Sequence, residues 1–248
     1  MIKGAIAVSG ASRGIGAGLA LELASRGFTV GCISRTGALP DADVPVTPEL
    51  RERLLLRACD VTDVAAFRQA LGEIASEAGG LGGLVNNAGV HREGRAHEIS
   101  LEDFEWVMRV NTTAVLAACQ SAYPHLLANK RGLIVNIGSV FERLGVSGNI
   151  SYCASKAAVA AVTRCLAAEW GRKGISVANI APGYVETDIN RDFLRDDAAS
   201  APVRARSFVK RAGHVSEIAR LIAALYVEDI PFLTGETIYV DGGYGISL

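Results

Sequence analysis

Short apolar runs alternate with longer amphipathic segments along this chain, and no other feature of the sequence limits the possible folds as strongly. The apolar runs contain few polar positions and predict strands buried on both faces, at 6–8, 28–34, 54–59, 84–86, 133–137, 176–180 and 237–240. The segments between them predict helices, at 15–26, 63–77, 102–127, 152–172 and 215–227. This alternation predicts an α/β fold, a doubly wound parallel sheet with helices on both faces.

Composition limits the domain organisation and the partners. The chain has 248 residues, of which 50% are hydrophobic, and this is enough for one domain with a large core. No Pro/Ser-rich linker or repeat divides the sequence, so residues 1–248 are predicted to form a single domain. With 25 basic and 26 acidic side chains the net charge is −1, which favours neither nucleic acid nor an anionic membrane as a partner.

The cysteines, the histidines and the N-terminal sequence predict a cytoplasmic protein without a metal site. The 5 cysteines include no Cys-x-x-Cys pair, which indicates reduced thiols. The 4 histidines include no pair with metal-ligand spacing on a helix. The sequence MIKGAIAVSG passes directly into a Gly-rich turn, and no apolar stretch reaches about 18 residues, so we expect neither a signal peptide nor a membrane span.

Two segments interrupt the alternation of strands and helices. Residues 36–53 contain three prolines, and Thr47 with Pro48 predicts the N-cap and first residue of only a short helix. Residues 183–213 are charged and show no clear period before His214. Long irregular segments in a compact domain are usually lids, binding loops or disordered, and we predict that residues 183–213 form the substrate loop.

The sequence SGASRGIG, residues 9–16, joins the first predicted strand to the first predicted helix. Its glycines, Gly10, Gly14 and Gly16, allow a sharp turn and a close approach of a ligand to the backbone. The N-terminus of the following helix offers unpaired N–H groups and a partial positive charge to a pyrophosphate. Tight packing of a helix on a strand would also require glycine, but the order of strand, turn and helix favours a nucleotide site.

The end of the second predicted strand should distinguish NAD from NADP. An acidic residue there would bind the ribose hydroxyls of NAD, whereas an arginine would pair with the extra phosphate of NADP. Ser34 and Arg35 occupy this position, and Arg13 in the glycine turn supplies a second guanidinium. The sequence therefore favours NADP(H). In the alternative, both arginines are solvated surface charges and Asp41 or Asp43 folds back to a ribose.

A serine, a tyrosine and a lysine share the stretch GSVFERLGVSGNISYCASK, residues 138–156. Tyr152 and Lys156 are four residues apart, so on a helix they lie on the same face. A nearby ammonium favours the phenolate and lowers the pKa of the tyrosine, which is one way to make a general acid or base. Ser139 could reach the same place across a Gly-containing loop and bind an oxygen. Tyr-x-x-x-Lys also occurs by chance in many helices, so this motif alone does not establish a catalytic site, and the other motifs of the chain are needed.

In their order and number, these motifs resemble those of the short-chain dehydrogenase/reductase family over essentially the whole chain. The further matches are Asp60 with Val61, NNAG at 86–89, Asn111 in VNTT and PGYVETD from Pro182. The resemblance implies a Rossmann-like fold with a catalytic set formed by Asn111, Ser139, Tyr152 and Lys156. The implied cofactor-binding residues, besides Tyr152 and Lys156, are Gly10, Ser12, Arg13, Gly14, Ile15, Gly16, Ser34, Arg35, Asp60, Val61, Asn87, Ala88, Gly89, Pro182, Gly183, Val185 and Thr187.

The resemblance also implies a role for each catalytic residue. NADPH would deliver hydride to a carbonyl carbon, Tyr152 would donate the proton, and Ser139 would stabilise the negative oxygen. Lys156 would hold the nicotinamide ribose, and Asn111 would support a water relay to Lys156. His91 lies near the expected cleft, where it is interpreted as structural.

Among family members the chain is most similar to the β-ketoacyl-acyl-carrier-protein (3-oxoacyl) reductases of fatty-acid synthesis. This similarity implies a 3-oxoacyl thioester substrate, an acidic carrier protein as partner and a homodimer or homotetramer. The candidate carrier contacts near the site entrance are Lys130, Arg131, Arg172 and Lys173, although cations are favoured at helix C-termini in any case. The charged loop 191–211 departs from the expected pattern. Another ketone, a steroid or a secondary alcohol is therefore an alternative substrate, and a non-catalytic NADP-binding sensor is a more distant alternative.

Overall fold

The computed structural model describes residues 2–42, 44–187 and 190–247, apart from the side chains of residues 195, 197 and 199. The strands in these ranges are β1 (Ala5–Ser9), β2 (Val30–Ser34), β3 (Leu54–Ala58), β4 (Leu81–Asn86), β5 (Gly132–Ile137), β6 (Ile175–Pro182), β7 (Val185–Glu186), β8 (Gly213–His214) and β9 (Thr237–Val240). Seven of them form one parallel sheet in the order β3-β2-β1-β4-β5-β6-β9, and β7 pairs with β8 separately.

Helices cover both faces of this sheet. They are α1 (Gly14–Ser25), α2 (Pro48–Arg51), α3 (Val64–Glu77), α4 (Leu101–Met108), α5 (Ala114–Ala128), α6 (Ile150–Trp170), α7 (Arg191–Arg195), α8 (Asp197–Arg206) and α9 (Val215–Glu228). Apolar side chains of α1 and α9 share one core cluster with the sheet, and those of α3, α5 and α6 share the other. The predicted doubly wound α/β fold is therefore confirmed.

Strand β1 shows why these sequences form a buried parallel sheet. Ile6 and Val8 point into the cluster that contains α1 and α9, whereas Ala5 and Ala7 point into the opposite cluster. All four side chains are fully buried. A strand with helices on both faces therefore has no polar alternation, because successive side chains enter different cores.

The predicted elements agree closely with the observed ones, with one interruption. All seven predicted strands are present, and their ends differ by at most three residues. The single helix predicted at 102–127 is instead two helices, α4 and α5, separated by a π-helical turn at Arg109–Thr113. A π turn inserts one residue into the helical ladder without changing the apolar pattern, so a sequence pattern does not reveal it.

One of the two irregular segments forms the short helix that the sequence predicts, and the other is more ordered than predicted. Thr47 is the predicted N-cap, and its hydroxyl accepts a hydrogen bond from the Leu50 N–H at 3.4 Å, at the start of the short helix α2. The prediction that 183–213 lacks regular structure is wrong, because α7 and α8 lie within it and β7 and β8 bracket it. Pro202 lies inside α8, and few apolar residues repeat there, which explains why no period was visible.

The described residues were also searched for membrane-spanning helices, metal sites and disulfides. Among them, no helix is long and apolar enough to cross a membrane. They contain no group of three or more His, Cys, Asp or Glu side chains placed to hold a metal ion. The five cysteines are free thiols, and Cys32, Cys59 and Cys119 are buried.

Candidate active site

The crevice between β1 and β4 is built around the glycine turn. The side-chain amide of Asn87 donates to the carbonyl oxygens of Ser9 at 3.0 Å and Gly10 at 3.1 Å. The Ser9 hydroxyl accepts from the backbone N–H groups of Asn87 and Ala88, each at 3.1 Å. A Cβ atom on Gly16 would lie 2.2 Å from the Gly10 carbonyl oxygen, so only glycine allows α1 to approach the turn this closely. The turn is thus fixed where the strand order reverses, the usual ligand position in such sheets.

The N-terminus of α1 opens toward the segment that follows β6. Gly14 begins the helix with a φ of +57°, and a Cβ atom there would lie 3.6 Å from Thr187 Cγ2. Arg13 is the N-cap residue and makes no side-chain capping bond. Thr187 therefore lies beside the first turn of α1, and Ser12 and Ile15 are next to this turn in the chain. The first N–H groups of a helix have no intrahelical partners, so this helix end can bind a pyrophosphate.

The segment after β6 is anchored at several points. The Gly183 N–H donates to the Val240 carbonyl oxygen at 3.0 Å, and a Cβ atom on Gly183 would lie 2.8 Å from Asp241. Val185 pairs with Gly213 in the β7–β8 ladder. These contacts fix the segment that contains the predicted residues Pro182, Gly183, Val185 and Thr187. Thr187 lies beside Gly14, whereas Val185 is buried in the core.

Arg35 and Asp60 meet at the carboxyl ends of β2 and β3. The Cys59 N–H donates to the Ser34 carbonyl oxygen at 2.8 Å, which joins the two strand ends. The Thr62 N–H and hydroxyl donate to the carboxylate of Asp60 at 2.9 and 2.7 Å. These bonds, and to a smaller extent the Arg35 guanidinium, hold the pKa of Asp60 below its ordinary value. Val61 is partly buried and packs on the hydrophobic core, so it anchors the end of β3 next to Asp60.

A loop aspartate also borders the glycine turn. The Asp41 N–H donates to the Ser12 carbonyl oxygen at 2.9 Å. Arg13 and Arg35 are both exposed near this end of the crevice. The alternative in which Asp41 reaches a ribose therefore stays open, whereas Asp43 lies outside the described residues.

Ser139, Tyr152 and Lys156 converge at the carboxyl end of β5. Ser139 follows the strand, and its hydroxyl is near enough to the Tyr152 hydroxyl to act against the rise in the pKa of that phenol. Tyr152 lies in the first turn of α6, and the Lys156 Nζ is 5.5 Å from the centroid of its ring. Lys156 is buried, and its Nζ donates to the Ile137 carbonyl oxygen at 2.6 Å. The sequence prediction that these three side chains meet agrees with this geometry.

Burial dominates the electrostatics of the tyrosine and the lysine. The pKa of Tyr152 is raised, chiefly because burial penalises the phenolate, and the nearby Ser139 hydroxyl offsets only part of this effect. This direction is opposite to the lowered pKa that the sequence predicts. Burial lowers the pKa of Lys156 to about 8, and the charge of Glu142 opposes that shift. The tyrosine is therefore set to hold its proton at neutral pH.

Asn111 lies in the π-helical turn and touches the same corner. Its Oδ1 accepts from the Val90 N–H at 2.8 Å, and its Nδ2 donates to the Val90 carbonyl oxygen at 2.9 Å and to the Ser155 hydroxyl at 3.1 Å. A Cβ atom on Gly89 would lie 3.4 Å from Asn111 Oδ1 and 3.8 Å from Lys156 Nζ. The extra residue of the π turn therefore places Asn111 between the NNAG segment and α6, and π turns are frequent at functional sites.

Aromatic side chains surround Tyr152, and the sequence analysis named only His91 among them. The rings of His91 and Phe141 lie 4.9 and 6.0 Å from its ring, both edge-on. The centroid of the Phe141 ring lies 6.0 Å from that of Tyr184, and the Tyr184 centroid lies 5.4 Å from that of Tyr244. Phe141 and Tyr184 follow Ser139 and Gly183 closely in sequence, and this proximity is the signal that could have identified them. His91, interpreted as structural, contacts the candidate acid directly.

The candidate carrier contacts do not lie at this entrance within one chain. Lys130 and Arg131 immediately precede β5, and Arg172 and Lys173 precede β6. They therefore lie at the amino edge of the sheet, whereas the site lies at the carboxyl edge, about 20 Å away along a six-residue strand. Arg131 pairs with Asp229 at 2.8 Å, and Lys173 donates to the Tyr123 hydroxyl at 2.9 Å. The prediction that these cations border the site entrance is wrong for a single chain.

A glycine cradle for a dinucleotide and a nearby Ser-Tyr-Lys cluster, on a doubly wound sheet, are typical of a nicotinamide-dependent oxidoreductase. A family model described as enoyl-(acyl carrier protein) reductase matches residues 10–245. The chain belongs to the short-chain dehydrogenase/reductase family, whose members are oxidoreductases that bind a nicotinamide cofactor.

Its relatives include proteins with different substrates. The chain is 34% identical over 245 residues to a 3-oxoacyl-[acyl-carrier-protein] reductase of Vibrio cholerae, with 98% of each chain covered. It is 35% identical over 243 residues to a glucose 1-dehydrogenase of Gluconobacter oxydans, which covers 96% of this chain and 90% of the relative. A solved gluconate 5-dehydrogenase of Burkholderia cenocepacia, in complex with NADP and tartrate, is 31% identical with a TM-score of 0.85, over 99% of this chain and 97% of that one.

Proposed function

We propose that this protein is an NADP(H)-dependent oxidoreductase that interconverts a ketone and a secondary alcohol, with a 3-oxoacyl thioester as the substrate. The observation that carries the proposal is the convergence of Ser139, Tyr152 and Lys156 beside the glycine cradle. Residues 1–248 would act as one domain, with 183–213 as the substrate loop.

The residues present fit a nicotinamide dinucleotide. Gly16 lets α1 pack closely on the glycine turn, and the N-terminus of α1, with Thr187 beside it, would bind the pyrophosphate. Arg13 and Arg35 are exposed cations that suit the extra phosphate of NADP. Lys156 would hold the nicotinamide ribose. When bound, the cofactor supplies or accepts hydride at the substrate carbon.

In the direction of reduction, Tyr152 donates its proton to the carbonyl oxygen of the substrate, and Ser139 donates a hydrogen bond to that oxygen. The raised pKa of Tyr152 keeps the donor protonated at neutral pH. The Lys156 ammonium stabilises the phenolate left after the transfer, because Nζ lies only 5.5 Å from the ring centroid. In the direction of oxidation, the same phenolate accepts the proton of the alcohol.

Two observations favour the thioester. Relatives named as 3-oxoacyl-[acyl-carrier-protein] reductases match 98% of this chain. The rings of Phe141, Tyr184 and Tyr244 also form a largely apolar wall, which suits an acyl chain. A carrier protein as partner and a homodimer or homotetramer belong to this proposal, and the carrier would dock on a surface other than the Lys130 and Lys173 edge of the same chain.

A second candidate is the oxidation of a sugar or sugar-acid alcohol. The relative named as glucose 1-dehydrogenase and the solved gluconate 5-dehydrogenase favour it. A non-catalytic NADP sensor is the third candidate, although such a protein would not need the hydroxyl of Tyr152.

The test measures NADPH and NADH absorbance with acetoacetyl thioester and a panel of ketones, and NADP+ reduction with glucose and gluconate. Fast NADPH oxidation with the thioester supports the proposal. Turnover only of the sugars assigns the second function, and NADPH binding without turnover of any compound assigns the sensor.

Tyr152→Phe should lower turnover by about 100- to 10,000-fold, since it removes the exchangeable proton with little change of shape. NADPH binding, measured by fluorescence titration, should stay close to wild type. Tyr123→Phe is the matched control, because Tyr123 lies at the edge with Lys173. Turnover of Tyr152→Phe near the wild-type rate would contradict the assigned role.

A further inference from the structure

Glu142 is a carboxylate that the sequence analysis did not select, three residues after Ser139. It ends the short 3-10 turn Val140–Glu142 that follows β5, and its side chain is half-buried. Its Oε2 accepts a hydrogen bond from Asn179 Nδ2 at 2.8 Å, and its Oε1 accepts one from the Tyr239 hydroxyl at 3.0 Å. Donors from β6 and β9 therefore fix both oxygens of this carboxylate.

The fixed carboxylate lies at the backbone corner that also binds Lys156. A Cβ atom on Gly138 would lie 2.4 Å from Glu142 Oε2, so the carboxylate packs directly on the Gly138 backbone. The preceding carbonyl, that of Ile137, accepts the 2.6 Å hydrogen bond from Lys156 Nζ. The ammonium and the carboxylate thus approach neighbouring peptide groups at the end of β5.

The burial of Lys156 makes a neighbouring negative charge important. Desolvation disfavours the ammonium and lowers its pKa to about 8, and the charge of Glu142 acts in the opposite direction. The hydrogen bond to Ile137 is made to a neutral carbonyl, so it does not supply a counter-charge. Because Asn179 and Tyr239 both donate to Glu142, its carboxylate holds a fixed position relative to Lys156.

Other charged and titratable groups lie near Glu142. The Arg143 guanidinium lies 3.7 Å from the Tyr239 ring centroid and 3.6 Å from Asp241 Oδ2. Burial and the charge of Glu142 raise the pKa of Tyr239, whereas Arg143 and Arg164 lower it. Arg143 therefore engages Tyr239 and Asp241, whereas Glu142 Oε2 lies against the Gly138 backbone, next to the carbonyl that binds Lys156.

We propose that Glu142 is a positioning residue that acts through Lys156, by holding a fixed negative charge that keeps the buried ammonium protonated at the candidate active site. This inference rests on the proposed function, in which Lys156 stabilises the Tyr152 phenolate. Substitution of Glu142 should therefore change the pH dependence of the reaction, whereas a merely structural role would change stability alone.

The first experiment titrates Lys156 directly and needs no substrate. The chain has five lysines, at 3, 130, 156, 173 and 210, so protein labelled with [13Cε]lysine gives few signals, and Lys156→Met assigns the relevant one. In Glu142→Gln, which can still hydrogen-bond to Asn179 and Tyr239, the pKa of Lys156 should fall by at least about half a unit. Glu236→Gln, at an exposed glutamate, is the matched control and should leave that pKa unchanged. An equal pKa in Glu142→Gln and wild type overturns the proposal.

The second experiment follows kcat/KM against pH with the substrate found active. Loss of the carboxylate should move the alkaline limb of Glu142→Gln to lower pH, with a further loss of about threefold at pH 9 relative to pH 7 for each half unit. Glu142→Asp keeps the charge and should restore most of the wild-type profile. If Glu142→Gln does not fold, Glu142→Asn replaces it as the neutral variant and Glu142→Asp is its charged partner of equal size, and an equal pKa of Lys156 in those two variants contradicts the proposal. Absence of turnover with every substrate would count against the proposed function, and the titration would still test Glu142.

Discussion

The proposed cofactor side and the proposed substrate side of the site are built in different ways. On the proposed cofactor side, the backbone of the glycine turn sets the geometry: its Ser9 and Gly10 carbonyl oxygens accept from the Asn87 side-chain amide, and only glycine fits at position 16. On the substrate side, rings from separate segments form the wall, among them Phe141 after β5 and Tyr184 after β6.

This difference indicates where each side can vary. A ligand held by backbone groups requires glycine at fixed positions, because any side chain would occupy the space of the ligand or of the chain itself. A ligand held by side chains can be exchanged through substitutions on the surrounding loops while the sheet is retained. Relatives named as a 3-oxoacyl-[acyl-carrier-protein] reductase and as a glucose 1-dehydrogenase agree with this division.

The largest expected effect tests the backbone-built side. In Gly16→Ala the new Cβ atom would meet the Gly10 carbonyl oxygen at 2.2 Å and the Asn87 amide nitrogen at 2.4 Å, so the turn must open. We expect NADPH affinity to fall by at least about 100-fold, with a loss of stability of about 1–3 kcal/mol. Calorimetric titration and thermal melts measure both quantities. Wild-type affinity would show that the turn does not form the cofactor cradle.

Arg35→Asp should have the next largest effect and sharpens the cofactor assignment. The substitution removes a guanidinium and places a carboxylate at the end of β2, so the preference for NADPH over NADH in kcat/KM should fall by at least about 10-fold. Arg68→Asp makes the same charge change at an exposed position on α3. An unchanged preference in Arg35→Asp would leave Asp41 beside a ribose as the better explanation.

Phe141→Ala tests the side-chain-built wall, with a smaller expected effect. Removal of a ring that touches both Tyr152 and Tyr184 should raise the substrate KM by about 5- to 10-fold, while the KM for NADPH stays constant. The control is Phe232→Ala, since the Phe232 ring is 98% exposed. A rise in the NADPH KM instead would remove the separation between the two sides.

Gly72→Ala should have the smallest effect, and it tests whether glycine is required only in the glycine turn. Gly72 lies within α3, and a Cβ atom there would meet no heavy atom within 4 Å. Alanine favours the helix over glycine by about 0.5–1 kcal/mol, so thermal denaturation should show a small stabilisation with unchanged activity. A lower melting temperature of Gly72→Ala would mean that α3 requires glycine at this position for a reason other than close packing.

Sequence reasoning recovered the parts of the molecule that depend on short-range patterns. The strands, the glycine turn and the Tyr152–Lys156 spacing follow from periodicity and from local geometry. It did not recover the π turn around Asn111, because helices of either kind share one apolar pattern. The aromatic wall was missed for a different reason, since its rings come from segments that are distant in sequence.

The error about Lys130 and Lys173 has a simple topological cause. Helices in this fold run opposite to the strands that they connect, so the end of α5 lies at the start of β5. A residue at a helix C-terminus is therefore at the amino edge of the sheet, however close it stands to Ser139 in sequence. The pKa of Tyr152 was also predicted in the wrong direction, because burial cannot be read from residue spacing.

The two-residue ladder between β7 and β8 fixes both ends of the segment that lies between these strands, whatever the length of that segment. Val185 and Glu186 pair with Gly213 and His214, so the polypeptide between them leaves and returns at one fixed point. Doubling the length of such a closed excursion costs only about 0.6 kcal/mol in closure entropy. Segments of other lengths could therefore be grafted in place of α7 and α8 while Thr187 stays beside Gly14, which makes this ladder a natural splice point for engineering new substrate ranges.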